Sequence, residues 1–130
     1  MRQDQCGFCT PELVGPGEEV TVVAVAPAGL CGQKLAIPEE IAPYFTLSSA
    51  KVDGVEQLHV QRTGWRRLFD IVTGRPPRIE IPCVAFGSRV CGNGFQWPAA
   101  KGEISLTVRN RDKSTARRFV ASLFGEVEGG

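Results

Sequence analysis

The chain has 130 residues, 42% of them hydrophobic, with 15 Gly, 9 Pro and a formal net charge of +1. That length suits one domain able to bury a core unaided, and that hydrophobicity excludes an intrinsically disordered chain. No apolar run approaches the roughly 20 residues of a membrane helix, so no membrane span is expected, and the aperiodic Gly and Pro mark turns rather than a collagen-like repeat.

Residues 1–18 are polar and contain Gly7, Pro11, Gly15, Pro16 and Gly17. They are expected to form an extended N-terminal arm, ordered by a partner. Met1-Arg2-Gln3-Asp4-Gln5 has no apolar stretch behind it and no secretory cleavage pattern, so synthesis and folding in a cytoplasm are expected. Residues 19–127 are expected to form one β domain and 128–130 a flexible tail.

Within that domain, Val20-Thr21-Val22-Val23-Ala24-Val25-Ala26 is rich in β-branched residues and bounded by Gly17 and Pro27, which predicts a buried strand. A second strand is read over residues 30–37. The Pro-bounded stretch 38–43 allows one helical turn at most. Residues 44–52 predict a third strand with Phe45 and Leu47 on one face. Asp53-Gly54 is a strong turn signal, and residues 55–60 are expected to return as a hairpin. Residues 65–72 fit either a loop or a short strand. Arg75-Pro76-Pro77-Arg78 is a break. Residues 79–86 read as a strand whose Pro82 demands an edge or a bulge, and 87–102 as loop.

The C-terminal pattern is the clearest. Ile104, Leu106 and Val108 alternate with Ser105, Thr107 and Arg109, and Phe119, Ala121 and Leu123 alternate with Arg118, Val120, Ser122 and Phe124. A polar connection between them predicts a long antiparallel hairpin. Seven or eight short strands without a long helix define an all-β fold, an antiparallel β-sandwich or single jelly roll.

Five cysteines carry the most suggestive chemistry. Cys6-Gly7-Phe8-Cys9 is a CxxC, whose spacing lets two thiolates share a zinc ion or act as a redox pair. Zinc would need two more ligands from Cys31, Cys83 or Cys91, since no second CxxC exists. Redox catalysis expects a strand-to-helix setting that this Gly/Pro-rich stretch lacks. Free thiols, or a disulfide such as Cys83–Cys91, are the alternatives. The odd count leaves at least one thiol unpaired within the chain.

His59 is the only histidine, and it falls in a strand pattern with no nucleophile beside it. No nucleophile elbow, P-loop, zinc-protease helix or dinucleotide fingerprint occurs. The charges are divided along the chain. Residues 1–60 hold three basic groups against eight acids, and residues 61–125 hold twelve against four. Two oppositely charged faces would suit contacts between copies, or a polyanion on the basic side. Arg62, Trp65, Arg66, Arg67, Arg75 and Arg78 form one basic stretch. Arg109, Arg111, Lys113, Arg117 and Arg118 form another. Such Arg-rich loops would grip nucleic acid phosphates. Trp65, Arg66, Arg67, Phe95 and Trp97 are equally candidate protein–protein anchors.

Three stretches carry a family likeness: Leu35-Ala36-Ile37-Pro38, Ile41-Ala42-Pro43-Tyr44-Phe45, and Val52-Asp53-Gly54-Val55-Glu56-Gln57. So does the ending Leu106-Thr107-Val108-Arg109-Asn110, followed by Arg117-Arg118-Phe119-Val120-Ala121-Ser122-Leu123-Phe124-Gly125. Together they resemble a pattern in small bacteriophage virion proteins, covering roughly residues 20–125. The resemblance implies a compact β-sandwich subunit of a capsid, cement layer or virion surface. Its partners would be other copies of itself and other virion proteins, with no cofactor and no catalytic residue. The cysteines and residues 82–101 depart from that pattern. The second reading is a zinc-stabilised β binding module using Cys6 and Cys9.

Overall fold

The computed structural model describes residues 2–58, 80–86 and 97–127. Eight strands occur among them: β1 (Arg2–Cys9), β2 (Glu19–Val25), β3 (Leu30–Ala36), β4 (Phe45–Val52), β5 (Val55–Glu56), β6 (Ile81–Pro82), β7 (Glu103–Asn110) and β8 (Val120–Val127). Short 3₁₀ turns at Ala42–Tyr44 and Cys83–Phe86 are the only helical elements among the described residues.

All pairings are antiparallel. One sheet has the order β1-β8-β3. The other has the order β2-β7-β4-β5, with β6 also pairing β4. The sheets face each other across a core led by Phe45, Phe119, Leu30, Leu35, Leu47, Ile104, Leu106 and Leu123. Phe45 and Phe119, one from each half of the chain, meet edge to face at 5.3 Å and 66°, the geometry favoured by the ring quadrupole. Each such buried apolar side chain contributes about 1.5–3 kcal/mol from area burial.

The expected all-β sandwich is therefore the observed fold. Its strand order is also that of a rolled-up ribbon. β1 pairs β8, β2 pairs β7 and β4 pairs β5, three nested pairs of the kind that define a jelly roll. Beside β3, where a fourth strand of that sheet would lie, runs the segment 97–100. Trp97 N–H donates to the Gly32 carbonyl, and Ala100 N–H to the Leu30 carbonyl, both at 2.9 Å.

Four expectations are corrected. Residues 2–9 are not a free arm: they pair along their whole length with β8, and Cys6 and Phe8 are buried in the chain's own core. The final two strands are not a hairpin. β7 and β8 lie in different sheets, and the connection between them crosses the end of the sandwich. It is pinned there by a Val14–Arg117 bridge. β2 is buried on one face only, for Val23 and Val25 are 55% and 82% exposed. Pro82 sits at the end of a two-residue strand, and a 3₁₀ turn follows in place of the longer strand expected.

Candidate functional site

The two sides of the sandwich differ. On one side the outer edge of β3 is covered by segment 97–100, and β4 is covered at its two ends by the two-residue strands β5 and β6. On the other side β1 and β2 are, among the described residues, the terminal strands of their sheets, and they lie against each other across the core. The Cys6 thiol reaches the Val25 carbonyl there at 3.9 Å.

The ladder phase tells which backbone groups face outward. Thr10 N–H donates to the Phe119 carbonyl at 3.0 Å. Hydrogen-bonded and non-hydrogen-bonded positions alternate along an antiparallel strand. The backbone groups of Gln3, Gln5, Gly7 and Cys9 therefore point to the free edge. On β2 the bonds from Asn110 N–H to the Glu18 carbonyl and from Ala26 N–H to the Gly102 carbonyl set the phase. Glu19, Thr21, Val23 and Val25 face outward by the same count. Only two of these groups have a partner among the described residues. The Asp4 carboxylate accepts from Gln5 N–H at 2.8 Å, and the Val25 carbonyl takes the Cys6 thiol.

A shallow groove of about 690 Å³ crosses the outer face of the β1-β8-β3 sheet. Its floor follows the register. Gly7, Ser122 and Ala36 lie in one row of small residues, and the larger Phe124 and Val120 flank it. Phe124 is 37% exposed, and Pro38, Glu39 and Glu40 close the β3 end.

Strand geometry separates the CxxC pair. In β1, residues three apart point to opposite faces. Cys6 is buried in the core and Cys9 is exposed on the groove side. That is not the convergence a shared tetrahedral ion requires. Among the described residues no cluster of three or more His, Cys, Asp or Glu could hold a metal. Burial pushes the Cys83 thiol up to about 12 and raises that of Cys6. Cys83 carries a free thiol in the core, and its candidate disulfide partner Cys91 lies outside the described residues.

The ionisable groups serve the scaffold. Asp53, in the left-handed region at φ 51°, accepts from the amides of Lys101, Gly102 and Glu103 at 2.8–3.1 Å, ties the β4–β5 turn to the start of β7 and is held below its ordinary range. Burial alone would raise Glu56. The Ser49 hydroxyl at 2.5 Å and the amides of Ala50 and Leu58 outweigh it and lower the group. Asp112 is held down to about 2 by the Ser114 amide first and by Arg117 Nε at 2.9 Å next.

The charge division of the sequence is partly cancelled in space. Arg109 pairs with Glu19 at 3.0 Å and Glu80 at 3.4 Å, Arg111 pairs with Glu80, and Arg117 pairs with Asp112 while stacking 3.5 Å over Tyr44. Among the described residues Lys113 and Arg118 make no ion pair, so the second basic stretch offers less free charge than its composition implied.

Of the candidate anchors, Trp97 is 6% exposed and packs into the core beside Gly32, where a methyl group would meet its ring at 3.1 Å. It is a core residue rather than a surface anchor. Trp65, Arg66, Arg67 and Phe95, with His59, lie outside the described residues. Asn110, a fully buried amide at the crossing between sheets, has no signal in the sequence because its polar neighbours fit a loop. The strand β1 does have one, since Cys6 and Phe8 alternate with Gln5 and Gly7. Among the described residues no helix is long and apolar enough to cross a membrane. The chain matches no protein-family model, no curated protein and no solved structure.

Proposed function

We propose that this protein is a structural subunit of a viral particle, as a capsid, cement or surface component, and that it works by assembling with further copies and with other virion proteins. The observation that carries the reading is the nested pairing β1·β8, β2·β7 and β4·β5. That jelly-roll order is shared by viral capsid domains, lectins and cupins. Since a fold alone does not settle a function, the surface must favour one of these. It carries apolar side chains in the open, with Val23, Val25 and Val55 on one sheet and Phe124 on the other. Its carboxylates Asp53, Glu56 and Asp112 are engaged in holding backbone amides. The strand-and-turn resemblance to small bacteriophage virion proteins points the same way, and the place of action is then the virion.

Light scattering and negative-stain electron microscopy of the purified chain, alone and with co-expressed virion proteins, test this reading. Discrete, symmetric assemblies or incorporation into particles are the expected result. A chain that stays monomeric at high concentration and enters no particle would overturn it.

A further inference from the structure

We infer that the β1/β2 side of the sandwich is a dimerisation surface for a second copy of this chain, joined so that both sheets continue across the contact. The inference rests on the assembly reading above and names the surface that makes the first contact.

Three observations carry it. First, the two free edges are long and regular. β1 and β2 span eight and seven residues, contain no proline and show no bulge against their neighbours. An edge of that kind is a template for pairing unless something covers it. Second, the chain covers the opposite side by a register shift between Gly32 and Lys34 in β3, by segment 97–100, and by short strands, one of them ending in Pro82. Among the described residues the devices that block edges are thus used on one side and not on the other, with two exceptions: the Asp4 carboxylate caps the Gln5 amide, and the Cys6 thiol reaches the Val25 carbonyl.

Third, the two open edges are stacked, one in each sheet. A single extended peptide satisfies one edge and leaves the other bare. A partner that satisfies both must present two strands stacked as closely as β1 and β2 are. The chain itself has that shape. A two-fold axis perpendicular to the sheets brings β1 against β1 and β2 against β2, both antiparallel, which is the self-complementary contact of a closed dimer. The side chains tolerate it. Pairing β2 about Val22 sets Thr21 against Val23 of the other copy, a β-branched cross-strand pair, and Glu19 against Val25 with no like charges opposed. Val23 and Val25, the most exposed of the β2 apolar residues, gain cover in this arrangement.

Proline tests the surface without harming the monomer. The N–H groups of Gly7 and Val23 point to the open edge, so Gly7→Pro and Val23→Pro remove no bond within the chain. Light scattering should give the wild-type chain twice the monomer mass, or an even multiple, and the double variant half that unit with an unchanged far-UV spectrum. Hydrogen exchange of the wild-type assembly should protect the amides of Gln3, Cys9 and Thr21 at least tenfold more than in the double variant. If the wild type assembles while those amides exchange freely, or if the proline variants assemble to the same mass, the edge contact is wrong and the assembly reading stands. If the wild type neither self-associates nor enters particles, both fail. Val23→Lys provides a second variant should the prolines disturb folding: it places a charge on the edge, should also halve the mass, and refutes the contact if it does not.

Discussion

Asn110 is the residue on which the crossing between sheets turns. It ends β7, is fully buried, and carries the chain out of one sheet toward the other. Its Nδ2 donates to the carbonyls of Val14 at 2.9 Å and Thr115 at 3.0 Å, and its Oδ1 accepts from the Asp112 amide at 2.8 Å. Truncation in Asn110→Ala forfeits three hydrogen bonds worth about 1 kcal/mol each, and no apolar contact replaces them. Two groups keep an alternative, for the Val14 carbonyl also accepts from Arg117 N–H at 3.0 Å and Thr115 is exposed to water. The expected loss is therefore about 2–4 kcal/mol.

The near-isosteric Asn110→Asp should cost more. It turns a donor into an acceptor facing two carbonyls and buries a charge without a cation to balance it, a situation that costs about 3–5 kcal/mol at neutral pH. Desolvation and those carbonyls raise the new carboxyl in the folded state above its unfolded value of about 3.9. The folded state then binds the extra proton, so the penalty is full above the folded pKa and fades as pH falls toward about 4. Urea unfolding followed by tryptophan fluorescence at pH 7.5 and pH 5, for wild type and both variants, measures it. Losses below about 1 kcal/mol for both, or an Asn110→Asp penalty that does not shrink in acid, would refute the argument that this amide holds the crossing.

Three further outcomes follow from other sites. A methyl group at Gly125 would lie 2.0 Å from the Cys31 carbonyl oxygen, while one at Gly7 meets nothing within 4 Å; Gly125→Ala should therefore cost about 3 kcal/mol or more and Gly7→Ala only about 0.5 kcal/mol, read from the same urea transitions, and equal losses would contradict the β3–β8 contact. Asp112 is lowered to about 2 when folded, so the stability it contributes is present above its unfolded value of about 3.9 and lost as pH falls through about 2; the melting temperature of Asp112→Ala should fall less steeply with acid than that of wild type, and parallel slopes would count against it. Native-state alkylation followed by mass spectrometry should label the exposed Cys9 first and Cys83, buried and pushed up to about 12, only on unfolding. Early labelling of Cys83 would mean that the core opens locally.

Much of the fold was legible because strand signals are local. Alternation in Ile104, Leu106 and Val108, β-branching in β2 and the Asp53-Gly54 turn are properties of a few neighbouring residues, and each element stands where they put it. The same signals say which face of a strand is buried and say nothing about which strand lies beside it. Hence the β7–β8 pair read as a hairpin: both strands are apolar on one face, and a polar loop joins them in either topology. What separated them was the crossing held by Asn110, Asp112 and Arg117, whose partners Val14 and Tyr44 lie far away in sequence. The CxxC shows the same limit. Its spacing suits a shared metal only where the backbone turns, and β1 is extended, so tertiary pairing with β8 sent the two thiols to opposite faces. The sequence by itself thus determined an antiparallel all-β chain with a polar, proline-punctuated surface, because alternation and turn chemistry are written in adjacent residues. The tertiary structure alone decided strand order, the fate of residues 2–9 and the pairing of the charges. Those depend on contacts between residues distant in the chain, and only packing two sheets over one core brings them together.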